Sequence, residues 1–146
     1  MLMRYTGAVK NLYGIIPGGY KQKLHFETKN INEMAEIFLD IFQSLNSKIL
    51  TVMDAVYGLD GGPAAVIGRP KKIGYILASM DPNSLDVIAC QMIGYTPLDV
   101  TTINMAVKRK IINLKEIKQK GIFNAVKFKH LQAGQIKEEN PDNVLL

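Results

Sequence analysis

The chain has 146 residues, 47% of them apolar and 21% charged, which is the size and usage of one globular domain. No apolar run approaches the roughly 18 residues a membrane span needs, and the start, MLMRYTGAVKN, lacks the apolar core of a signal peptide. The single cysteine, Cys90, rules out an internal disulfide or a thiolate cluster, so the expectation is a soluble cytoplasmic protein without a membrane partner. The net charge of +5 sits largely in VKRK, KEIKQK and KFKH, where lysines interleave with Ile, Leu and Phe. That pattern reads as a solvated face, and no nucleic-acid-binding motif accompanies it.

In chain order, Ile16-Pro17-Gly18-Gly19 comes first and fits a type II turn. Consecutive glycines can also point successive N–H groups into one anion-binding concavity. Asn30 suits the N-cap of a helix through NINEMAEIFLDIFQSLN, whose apolar residues recur at three-and-four spacing. ILTVM reads as a buried strand ending just before Asp54, with GLDGGP as a Gly-rich loop. IGYILAS, Ile73 to Ser79, reads as a second strand.

MDPNSLDVIACQMIG then carries helix signals at both ends: Asp81 for the N-cap, Pro82 for the first helical position and Gly94 just past the end. Cys90 falls beside the buried stripe of this helix. Thr96, Pro97 and Asp99 resemble a capping-box start for a helix reaching about Lys110. VKFKHL alternates as a strand would, and the tail from about residue 134 reads as loose. The alternation predicts a single α/β domain over 1–146: a small mixed or partly parallel sheet flanked by three to four helices. Such a sheet is small for its class, so a partner subunit or a second copy would complete it.

Candidate chemistry gathers at two places. Asp54 follows the first strand and Asp81 the second, so in a parallel pair both carboxylates lie at one edge, where α/β sheets bind ligands. Asp54, Asp60, Asp81 and Asp86 are the oxygen ligands a divalent metal would take. A cap alone also explains Asp81, and Asp86 reads equally as a buried partner of a lysine. Around the first turn, Lys10, Asn11, Gly18, Gly19 and Lys21 form a candidate anion site, joined by Gly61 and Gly62 of the second Gly-rich loop. Lys10, Asp54 and His25 are the candidate catalytic groups, His25 because its pKa suits proton transfer.

VKNLYGIIPGGYKQKLH, TVMDAVYGLDGGP and ILASMDPNSLDVIACQMIG together resemble the family catalogued as domain of unknown function three hundred and sixty-two. The matching positions are Val9, Lys10, Asn11, Gly14, Lys21 and His25; Asp54, Ala55, Gly58, Gly61, Gly62 and Pro63; and Asp81, Pro82, Asp86 and Gly94. Order and spacing agree over about Thr6 to Gly94. The resemblance implies an uncharacterised domain, often fused to a ferredoxin-type iron–sulfur module, and hence a redox-linked step and a ferredoxin-type partner. This chain lacks the ferredoxin cysteines, so no iron–sulfur cluster is expected within it. It also matches only a later portion of the domain. Two functions follow as expectations: a polar site for an anionic or metal-chelated small ligand, or a scaffold subunit that pairs with a partner chain.

Overall fold

The computed structural model describes residues 3, 5–45, 49–61 and 68–129. His130, Gly62, Pro63 and the tail lie outside the described residues. The elements run α1 (Ala8–Asn11), a 3-10 turn (Leu12–Ile15), α2 (Gly18–Glu27), α3 (Ile31–Ser44), β1 (Thr51–Asp60), β2 (Arg69–Ser79), α4 (Pro82–Met92), a 3-10 turn (Pro97–Asp99) and α5 (Thr101–Lys108). The fold is a small α/β arrangement in which α4 backs one face of a two-stranded sheet. No helix among the described residues is long and apolar enough to cross a membrane.

Two helices start where the sequence places them. Asn30 accepts from the N–H groups of Asn32 and Glu33, and Asp81 from those of Asn83 and Ser84. Each side chain satisfies donors that the first helical turn leaves open. Gly94, at φ 83°, closes α4 as expected. Arg109, just past α5, reaches back to α3 and bonds Asp40 at 2.7 Å and Gln43 at 2.5 Å.

The strands differ from expectation in length and direction. β1 extends through Asp54 to Asp60, and β2 begins at Arg69 and pairs with it antiparallel, Thr51 opposite Ser79 and Asp60 opposite Arg69. The residues between Asp60 and Arg69 are fewer than the dozen or so a parallel crossover needs, so the chain can only turn back on itself. Asp54, placed just past the strand, and Gly58, placed in the Gly-rich loop, are accommodated within β1 by a bulge between Ala55 and Tyr57 and by the approach of Phe128. A Cβ on Gly58 would press on Ile73 and on the Phe128 ring.

The first Gly-rich stretch also departs from its expected turn. Neither Gly18 nor Gly19 has a positive φ; they open α2, with Pro17 as its N-cap and the Lys21 N–H bonded to the Pro17 carbonyl at 3.0 Å. Proline's fixed φ leads directly into a first helical turn, where the N–H groups need no partner. Thr96 makes no side-chain cap, and α5 ends at Lys108. VKFKHL forms no ladder within the described residues; Val126 and Phe128 instead donate to the Met92 and Ile93 carbonyls at the end of α4.

Two apolar clusters share the interior. One joins Tyr5, Ala8, Leu85, Val87, Cys90, Val100 and Ile103; the other joins Val9, Tyr13, Met34, Phe38, Leu39, Ile41 and Ala106. The adjacent residues Ala8 and Val9 face different clusters, so α1 is the seam between them. Phe38, 1% exposed, anchors the second cluster. Phe38→Ala is expected to cost about 3–5 kcal/mol in equilibrium urea unfolding, because the cavity left behind collapses only partly.

Candidate functional site

Asp86 is the most constrained polar group in the chain. It projects from the second turn of α4, is 1% exposed, and meets the start of α1. Its Oδ1 accepts from the Ala8 N–H at 2.6 Å and the Tyr5 hydroxyl at 3.1 Å, and its Oδ2 from the Val9 N–H at 2.9 Å. The carboxylate thereby caps α1 from outside, since Gly7 at the N-cap position has no side chain to do so. Gly7 is required by this closeness: a Cβ there would overlap Asp86 Oδ1 and the Tyr5 ring. The partner of Asp86 is thus backbone and hydroxyl, not the lysine offered as one alternative, and its carboxylate points into packed protein.

Burial raises the Asp86 pKa from 3.8 to about 6, against the three hydrogen bonds that favour the ionised form and with a further push from Asp81. Burial, then the Asp86 charge, raises Tyr5 well above its ordinary value. Burial and the same charge push the Cys90 thiol up to about 12, and its Sγ donates to the Val87 carbonyl. Cys90 is therefore a packed thiol rather than a nucleophile.

The other candidate carboxylates each have local work. Both Asp81 oxygens are taken by the α4 cap, with the Ser84 hydroxyl bonded at 2.5 Å as well. Asp54 lies mid-strand, exposed, and accepts from the Val56 N–H at 2.9 Å beside the bulge. Asp60 holds the late segment: it accepts from the Lys129 N–H at 2.6 Å and pairs with Lys71 at 3.5 Å, while Lys71 also donates to the Lys127 carbonyl. The antiparallel pairing separates Asp54 from Asp81, which a parallel pair would have set at one edge. Among the described residues, no group of three or more His, Cys, Asp or Glu gathers where a metal could be held.

On the opposite side of the seam, part of the candidate anion set does come together. Lys21 and His25 lie one turn apart on α2, and both rest against Tyr13: the Lys21 Nζ is 5.4 Å from the ring centroid, and the His25 ring stands edge-on at 5.5 Å. The Tyr13 hydroxyl donates to the Lys21 carbonyl at 3.0 Å, fixing the pair. Lys10 bonds the Thr6 hydroxyl, Asn11 is exposed on α1, and Gly18 and Gly19 lie in the first turn of α2. Gly61, at φ 87°, turns the chain after β1 and lies beside Lys129. Sequence reasoning missed Tyr13, Tyr5 and Gly7. The only signal for them was position beside the candidates, since a buried tyrosine reads as ordinary core.

The family model described as a domain of unknown function (DUF362) matches residues 1–91. A thylakoid-associated protein of Synechocystis sp. is 29% identical over 100 residues, which cover 67% of this chain and 30% of that protein. The chain therefore spans less than a third of the length of the curated relative it matches. No solved structure matches it.

The Asp86 geometry predicts a pH signature. Its proton is held more tightly folded than unfolded, so its contribution is fully present below pH 3.8 and is lost as pH rises through about 6. The difference in unfolding free energy between the parent and Asp86→Asn should shift by on the order of 3 kcal/mol across that window and stay flat above it. Urea titrations at a series of pH values measure this; a difference independent of pH would contradict it. Gly7→Ala should be destabilised at every pH.

Proposed function

The chain belongs to the DUF362 family of domains of unknown function, and from that premise we propose that it is an assembly subunit whose sheet is covered by a second copy of itself. The observation that carries this reading is the outer face of the hairpin. Val52 is 63% exposed and Ile76 71%, and Tyr57, Leu59 and Met80 are exposed around them. α4 backs the inner face, so nothing among the described residues covers the outer one. A sheet buries both faces in most α/β architectures, and a contiguous apolar patch on a soluble domain marks an interaction surface. Asp54 and Lys72 put opposite charges on this face, so it can meet a copy of itself without a net like-charge penalty.

Sedimentation velocity over a wide concentration range tests this. The parent should form a dimer, and Val52→Lys with Ile76→Lys should give a monomer that still unfolds cooperatively. A parent that stays monomeric at the highest concentration would overturn the reading.

The contact of Lys21 and His25 with Tyr13 favours a second reading, in which an anionic small ligand binds there and His25 exchanges a proton with it. Inorganic phosphate is the simplest probe. At about a hundred times its dissociation constant it should stabilise the fold by about 2.7 kcal/mol, and Lys21→Gln should abolish the shift. A thermal melt without any shift in the parent would sink this reading.

A further inference from the structure

The described residues line an open cleft of about 280 Å³. One wall is the second half of β2, all five residues from Tyr75 to Ser79. Side chains alternate between faces along a strand, so a cleft that touches five consecutive residues meets the strand's backbone as well as its side chains. The second wall is α4, through Ser84, Leu85, Ile88 and Met92. The third is the irregular stretch Ile117–Phe123, tied to β2 by the Asn124 N–H, which donates to the Tyr75 hydroxyl at 3.0 Å.

Among the described residues the backbone of β2 pairs with β1 alone, so its other edge offers N–H and C=O groups to the cleft. The two halves of this strand differ. Arg69, Pro70, Lys71, Lys72 and Gly74 give the first half the charge, proline and backbone irregularity that natural edges use against unwanted pairing. Tyr75-Ile76-Leu77-Ala78-Ser79 has none of these devices, and it is the half that faces the cleft. The charges on the cleft wall are Lys118 and Lys120, both exposed, with no Asp or Glu among the lining residues.

We propose that this cleft is a strand-addition site for an extended peptide segment that carries carboxylates. The segment would pair with the Tyr75–Ser79 edge, set apolar side chains against Leu85 and Ile88, and place its acidic groups beside Lys118 and Lys120. Main-chain pairing supplies affinity in such a mode, and the side-chain pockets and charges supply selectivity. A stretch of five strand residues is about 17 Å long, enough to fix direction and register. The site adjoins the outer face at Ile76, whereas Val52, Tyr57 and Leu59 do not line it.

The test uses the Val52→Lys variant, whose substitution lies on the outer face and off the cleft lining, at a concentration where sedimentation velocity finds it monomeric, so the outcome does not depend on self-association. The probe is a fluorescein-labelled peptide of alternating valine and glutamate, compared with a valine–lysine peptide and with a valine–glutamate peptide interrupted by proline. Anisotropy should show binding of the first alone. Lys118→Ala with Lys120→Ala should weaken it about tenfold, a loss of about 1.4 kcal/mol. Amide NMR shifts should concentrate on Tyr75–Ser79. Binding of the proline-interrupted peptide at equal affinity would overturn strand addition, as would shifts spread over the other lysines. Absence of binding by the valine–glutamate peptide to the folded variant would overturn the site altogether.

Discussion

Everything near the N-terminus depends on one buried carboxylate accepting three hydrogen bonds. An ionised Asp86 in a nearly water-free position is costly unless its oxygens are satisfied. Here a hydroxyl and two backbone N–H groups satisfy them, and those same N–H groups would be open at the start of a helix. Two deficits in different parts of the chain cancel. The consequence is geometric: α1 is too short to be stable alone, yet it is held at one angle to α4. Ala8 and Val9 can then enter separate apolar clusters.

From that seam the rest is arranged outward. α4 presents one side to Asp86's partners and another to Met53 and Leu77 of the hairpin, so the sheet's inner face is buried by the helix that carries the clamp. Asp60 and Lys71 hold the late lysine-rich segment against the hairpin's far end, and Phe128 fills the space left by Gly58. Lysines that look like a uniform basic stretch therefore have distinct roles. Lys71 is a latch, whereas Lys118 and Lys120 are exposed at the cleft wall.

Much of the fold was legible in residue order. Asn30, Asp81, Pro82 and Gly94 mark helix ends through local chemistry, and the periodic stripe of α3 is buried as its spacing requires. Local signals misled where one residue type serves two backbones. Pro17-Gly18-Gly19 suits a turn and a helix start equally, and the Lys21 N–H bonded to the Pro17 carbonyl shows that a helix begins there. Asp54 reads as a strand-end ligand in the sequence because its partner, the Val56 N–H, becomes available only at a bulge. The candidate site was half legible. Lys21 and His25 meet because a helix puts positions four apart on one side, while the aspartates separate because the hairpin runs antiparallel.

Residue order alone was enough for the α/β class, the caps at Asn30 and Asp81, the family, and the small size of the sheet, because each depends on contacts a few residues apart or on linked motifs in order. Tertiary structure alone decided that Asp86 is a clamp, that Gly7 must lack a side chain, and that half of β2 faces an open cleft. Those facts join residues as far apart as Tyr5 and Asp86, or Tyr75 and Asn124. No spacing rule along the chain encodes such pairs; they follow from which surfaces must leave water together.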